Sequence, residues 1–158
     1  MDFQMYKKKD FISRIKNSFK TKIALNSISS VFTGFKENEL IQEAKKNYQN
    51  LYRAINTKDK GQLSFVVSYP LYEFYGHVIS DKIMIPLPKK VELGEGKILS
   101  ARVLKTDIDN VKVYNTWYQI TIGYQIENSN KDIHDRVIVL ERKESSTSSD
   151  NWRICHVE

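Results

Sequence analysis

From residue 118 the chain alternates strictly: Tyr118, Ile120, Ile122, Tyr124 and Ile126 are apolar or aromatic, while Gln119, Thr121, Gly123, Gln125 and Glu127 between them are not. Successive side chains on a strand point to opposite faces, so a period of two gives one covered face and one polar face. A strand of this kind, spanning residues 114–126, belongs in an antiparallel sheet with a single buried side. The next strand-like run, residues 136–142, puts apolar groups on both faces through Val137, Ile138, Val139 and Leu140, which makes it central. Residues 144–150 are too polar to bury anything and read as a hairpin loop. Trp152, Arg153, Ile154 and Cys155 then form a last strand, and Ile122 and Val139 are expected in the core.

Ahead of this sheet the apolar period changes to three and four. Leu40, Ile41, Ala44, Tyr48, Leu51, Tyr52 and Ile55 share one helical face, and Asn38 is placed to cap the helix. Asp59 followed by Gln62 has the spacing of a capping box and opens a short helix through Val67. Pro70 sits where a first-turn proline is tolerated, ahead of a stripe of Leu71, Phe74, Tyr75 and Val78. Pro86, Pro88, Gly94 and Gly96 mark the crossover from helices to sheet. A strand over residues 98–108 follows, and Asp109 and Asn110 turn into the next. Helices first and antiparallel strands after predict an α+β domain with its helices packed on one face of the sheet. With 158 residues and 41% hydrophobic content, the chain buries one sizeable core. The tyrosines Tyr48, Tyr52, Tyr69, Tyr72 and Tyr75 are expected in that core with their hydroxyls at the rim. Trp117 and Trp152 are expected there too, rather than around a ligand cavity.

Charge divides the chain unevenly. The formal net charge of +6 reflects 25 basic and 19 acidic residues. Residues 1–36 hold eight of the basic ones (Lys7, Lys8, Lys9, Arg14, Lys16, Lys20, Lys22 and Lys36) and only two acids, Asp2 and Asp10, which leaves 17 of each sign in the rest. Lysine outnumbers arginine 19 to 6, as in the products of AT-rich genomes, but that bias does not explain why acids are missing from one segment alone. Phe11, Ile12, Ile15, Phe19 and Ile23 fall at helical spacing among these cations, giving a basic amphipathic helix of about three turns. It resembles a mitochondrial targeting helix in being basic and hydroxyl-bearing (Ser13, Ser18, Thr21), with Asp2 and Asp10 departing from the acid-poor pattern. Residues 1–36 thus read as a basic arm and residues 37–158 as the α+β domain. In the arm Lys7, Lys8, Lys9, Arg14, Lys16, Lys20 and Lys22 are suited to RNA phosphates. Phe11, Ile12, Ile15 and Phe19 are suited to a protein or membrane surface. No run of about 18 apolar residues spans a bilayer, no apolar signal segment is apparent, and the single cysteine, Cys155, excludes an intramolecular disulfide.

Several of these pieces occur in a familiar order. The helix carrying Ala44 and Tyr48, the step from Asp59 to Leu63, Leu71 to Phe74, Ala101 to Val103, Tyr118 to Ile122, Val137 to Arg142 and the terminal Trp152 to Cys155 together resemble one mitochondrial domain family. That family is the C-terminal domain shared by the forty-four-kilodalton subunit of the inner-membrane protein translocase and large-subunit mitochondrial ribosomal protein number forty-five. The resemblance covers residues 37–157. It implies a cone-shaped fold like nuclear transport factor two, helices closing over a curved sheet, and a non-catalytic adaptor role at the matrix face of the inner membrane. About 36 residues precede the domain, which favours the ribosomal type over the translocase subunit with its long chaperone-binding region. The ribosomal member generally carries longer extensions at both ends. The partners then expected are mitochondrial ribosomal RNA and neighbouring large-subunit proteins near the nascent-chain exit, with peripheral contact to the inner membrane or its insertase. An import-motor adaptor, or an accessory subunit of another inner-membrane complex, is the alternative.

Elsewhere the same fold encloses an acid–base cavity, so a small-molecule isomerase or dehydratase is a third reading. Its candidates would be His77, Asp107, Asp109, Tyr118, His134 and His156, with Cys155 as a nucleophile. None stands at a recognisable catalytic spacing from another, and a general acid or base needs hydrogen-bond reach to its substrate. The histidines read as surface or strand-end residues, Asp107 and Asp109 as turn formers, and Cys155 as a small buried hydrophobe. No catalytic residue, metal or cofactor is therefore expected.

Overall fold

The structure is a computed structural model that describes the backbone of residues 11–81, 89–108, 111–126, 136–144 and 151–158, and their side chains from residue 15 on, except those of 106–114. Among the described residues four helices come first: α1 (Phe11–Val31), α2 (Glu37–Asn56), α3 (Lys60–Val66) and α4 (Tyr69–Ile79). Four strands follow: β1 (Leu93–Ile108), β2 (Val111–Ile126), β3 (Arg136–Lys143) and β4 (Arg153–Val157). They form one antiparallel sheet in sequence order. This is the expected α+β arrangement. The turn at Asp109 and Asn110, the crossover prolines Pro86 and Pro88, His134 and most of the loop 144–150 lie outside the described residues.

The helices form where the apolar spacing puts them, but their ends differ. The N-cap of α2 is Lys36 and not Asn38, and no side chain caps it. Glu37 and Glu39 in its first turn offset the positive end of the helix dipole instead, and Lys36 Nζ meets Glu39 Oε1 at 2.9 Å. Asp59 does cap α3, its Oδ1 accepting from the Gln62 amide at 2.9 Å, and Pro70 sits in the first turn of α4. The larger difference is α1, which runs 21 residues rather than three turns, because a second stripe continues it. Ala24, Ile28 and Phe32 are buried in the same core cluster as α2 and the sheet, so the later part of residues 1–36 packs into the domain.

The sheet curves, and its irregularities show where. Register shifts interrupt the β1–β2 pairing between Leu93 and Gly96, between Ile98 and Ser100 and at Asp107, and the β3–β4 pairing at Val139. Each bulge adds local twist. Strand β1 starts at Leu93, five residues before its expected start, and takes Gly94 and Gly96 into the strand. A Cβ on Gly96 would lie 2.6 Å from Tyr124 Cε1 and 2.7 Å from Ile41 Cγ2, so this glycine answers a close approach of sheet and helix and not a turn. The core-facing row of β2 is Tyr118, Ile120, Ile122 and Tyr124, opposite Ile138 and Leu140 on β3 and Ile154 on β4. Of the tyrosines expected inside, Tyr48, Tyr52 and Tyr75 are buried, Tyr72 is half-buried and Tyr69 is 71% exposed. Two buried hydroxyls tie helix to sheet and loop: Tyr124 donates to the Ile41 carbonyl, and Tyr48 accepts from the Val91 amide at 3.1 Å.

The second face of the sheet is not open, although its residues are polar. Gln119 and Thr121 are 3% and 5% exposed, and Val139, beside them across the β2–β3 pair, is fully covered. Arg102 Nε donates to Gln119 Oε1 at 2.8 Å, and Gln119 Nε2 donates to Glu141 Oε2 at 3.4 Å, so long side chains laid across the face satisfy one another there. The alternation of residues 118–126 reports polarity correctly and exposure incorrectly, because neighbouring strands supply the cover.

Both sheet edges are covered in part. On β1, Asn17 Nδ2 of α1 donates to the Leu99 carbonyl at 3.1 Å and Thr21 Oγ1 accepts from the Ala101 amide at 3.4 Å. On β4, Val67 bridges to Ile154, and the Ser68 amide donates to the Ile154 carbonyl at 2.9 Å. Unpaired strand edges invite pairing with another chain, and helix and linker reduce that hazard where they lie. Truncating the buried Ile122 to Ala should lower the unfolding free energy by about 2–5 kcal/mol. Gly96→Ala should cost about 1–3 kcal/mol by overpacking against Tyr124 and Ile41. Urea melts that leave both variants as stable as the parent would contradict the packing described.

Candidate functional site

Helix α1 has two apolar faces. Its inner face, Asn17, Thr21, Ala24, Leu25 and Ile28, lies on β1 and the core. At 100° per residue Phe19 falls roughly opposite Ala24 and Ile28. Ile15, Phe19 and Ile23 accordingly point outward and are 55%, 68% and 53% exposed. Lys16, Lys20 and Lys22 flank this stripe and are exposed as well. Residues 11–31 contain no acid. The apolar spacing read from the sequence is therefore real, but it marks the surface of the helix, while the seat of the helix is a second stripe that is polar at Asn17 and Thr21 and apolar at Ala24, Leu25 and Ile28.

The far end of α1 is anchored by aromatic packing. The Phe32 ring meets Tyr118 edge-on at 5.4 Å and Trp152 at 5.8 Å, and the Arg142 guanidinium lies 4.0 Å from the Phe32 centroid. These contacts hold the helix on the sheet while its opposite face stays free of the core. Of the expected interaction residues, Ile15, Lys16, Phe19, Lys20 and Lys22 share this outward surface. Lys7, Lys8 and Lys9, and the side chains of Phe11, Ile12 and Arg14, lie outside the described residues. Among the described residues no helix is long and apolar enough to cross a membrane.

Among the described residues, the titratable groups weighed for chemistry stand on different elements. His77 is exposed on α4, and His156 is half-buried on β4, where burial holds its imidazole below the usual range. Cys155 lies on the second face of the sheet, 4.0 Å from Gln119 Nε2, and burial together with the Glu141 charge pushes its thiol well up, away from the nucleophilic thiolate. Burial, with the hydrogen bond to Glu144, pushes the Tyr118 hydroxyl up to about 12. The side chains of Asp107 and Asp109 and all of His134 lie outside the described residues. Among the described residues no three His, Cys, Asp or Glu side chains gather as a metal site.

Sequence reasoning missed one feature. Trp152 is buried as expected, but Trp117 is only half-buried and lines a cavity of about 470 Å³ between the start of α4 and the ends of β2, β3 and β4. Its residues come from positions 64 to 153, so no local motif announces it. No protein-family model matches the chain, and no curated protein matches it.

The buried hydroxyls and thiol set a pH dependence. Burial raises Tyr52, Tyr75, Tyr118, Tyr124 and Cys155 in the folded state. The folded protein thus holds these protons more tightly than the unfolded chain does. Their contribution is complete below the unfolded values, 9.0 for cysteine and 10.0 for tyrosine, and is lost as pH rises through and beyond them. The urea midpoint should hold from pH 7 to 8.5 and fall by pH 10.5, with Cys155→Ala blunting the earliest part of the fall. A midpoint unchanged at pH 10.5 would contradict the burial of these groups.

Proposed function

We propose that this chain is a non-catalytic component of the mitochondrial large ribosomal subunit, near the nascent-chain exit, attached by the outward face of α1. The observation that carries the reading is the exposed lysine set Lys16, Lys20 and Lys22 around the exposed apolar stripe Ile15, Phe19 and Ile23, on a helix without acids. A surface of that kind suits a phosphate backbone, which lysines neutralise without reading base sequence. The stripe is covered by an adjoining large-subunit protein, since single exposed apolar residues are common but an aligned row is a docking feature. The resemblance of residues 37–157 to the translocase-subunit and ribosomal-protein family supports a matrix location at the inner membrane. The separate placement of His77 on α4 and His156 on β4, and the suppressed Cys155 thiol, support an adaptor rather than an enzyme.

Reversing three charges tests this. Lys16, Lys20 and Lys22 are exposed, so changing all three to Glu should leave the melting temperature nearly unchanged. Binding to ribosomal RNA should weaken, and the slope of log affinity against log salt should fall by about one for each phosphate contact removed. Sedimentation of the tagged protein with the large subunit should be lost in parallel. Unchanged sedimentation of the variant, with loss of binding to anionic liposomes instead, would identify α1 as a membrane anchor and overturn the ribosomal reading.

A further inference from the structure

The cavity beside Trp117 has a composition of its own. Its outer wall is Tyr69 and Tyr72 of α4, and Tyr69 is held in place by its hydroxyl donating to Glu73 Oε1 at 2.7 Å. On the sheet side, register places Trp117 opposite Lys143 and Glu141 opposite Arg153, so these four share one face. Among the described residues that line the cavity, Arg142, Lys143 and Arg153 are cationic and Glu141 is acidic. The Arg142 guanidinium is committed to the Phe32 ring on the opposite face of the sheet. Lys143 and Arg153 form no ion pair among the described residues.

Arg153 is the more telling of the two. Its Nε–H is shielded from solvent and has no acceptor among the described residues. Glu141 faces it across the strand pair, but that carboxylate turns to Gln119 Nε2. The shielded Nε is closed to a ligand as it is to water, but the outer nitrogens of the same guanidinium are not shielded and bond nothing among the described residues, so they can pair with an anion in the cavity. At about 470 Å³ the space suits a molecule with a ring or short apolar body rather than a bare ion.

We infer that this cavity binds a small amphipathic monoanion, whose aromatic or aliphatic body lies between Tyr69, Tyr72 and Trp117 and whose single acid group meets Arg153 and Lys143. The acid group is a carboxylate, sulfonate or phosphate ester, because the guanidinium fork pairs with planar or tetrahedral oxyanions alike. The site is remote from the outward face of α1 and does not depend on what that helix contacts.

Fluorescence titration of the full chain with 1-anilinonaphthalene-8-sulfonate and with its uncharged counterpart N-phenyl-1-naphthylamine tests the assignment. The anionic probe should bind one to one, with energy transfer that Trp117→Phe diminishes, and more tightly than the neutral probe. Arg153→Gln should weaken the anionic probe about tenfold or more, as for loss of a charged hydrogen bond, and change the neutral probe less than about twofold. Should Arg153→Gln fail to fold, Lys143→Gln carries the same expectation at a smaller fold-change. Equal affinity for the two probes in the parent protein, or an anionic-probe affinity unmoved by both variants, would overturn the proposal.

Discussion

The row Tyr118, Ile120, Ile122 and Tyr124 on β2 is the constraint from which the remaining structure follows. A strand whose residues 118–126 carry one continuous apolar face is unstable in water until something covers that face. The cover here is composite. Helix α2 lays Ile41, Ala44, Tyr48 and Leu51 over it, α4 adds Tyr75 and Ile79, and α1 adds Ala24 and Ile28. Close approach needs a small residue where the layers meet, and Gly96 is that residue, against Ile41 and Tyr124. The Tyr124 hydroxyl then reaches the Ile41 carbonyl, turning a packing contact into a fixed register between helix and sheet.

Helix α1 resolves two demands at once. The long β1 edge must be closed, and polar side chains close it better than apolar ones because the exposed groups are backbone amides and carbonyls. Asn17 and Thr21 serve that purpose, while Ala24 and Ile28 further along the same face reach the core. The remaining face is then unconstrained by folding, and what stands there is an apolar stripe fringed with lysines. Residues that folding does not require are where an interaction surface is expected.

Much of the architecture was legible because its signals are local. A period of two over residues 118–126, a period of three and four over 40–55, and the Asp59 cap each depend on neighbours a few residues away. Gly94 and Gly96 misled for the opposite reason: glycine signals a turn locally, and only the distant Ile41 and Tyr124 show why one is needed inside a strand. The extent of α1 was hidden because its inner stripe contains Asn17 and Thr21, whose role is to bond a strand 80 or more residues away. The exposed residues of the candidate surface, from Ile15 to Lys22, could be read from charge and spacing. The cavity at Trp117 could not, since it is assembled by strand register and by the Val67 bridge to β4.

One helix divides its labour: its inner face holds the fold, and its exposed outer face is the one we propose meets a partner. Comparing Ile28→Ala with Phe19→Ser, by thermal melts and by association with the large ribosomal subunit, tests this division most directly. Ile28 is fully buried and Phe19 largely exposed. Ile28→Ala should lower the melting temperature by several degrees, as a cavity of that size does in a domain of this length, and leave association intact where the protein remains folded. Phe19→Ser should leave the melt unchanged and weaken association. A Phe19→Ser variant that melts as early as Ile28→Ala, or one that associates as the parent does, would contradict the account.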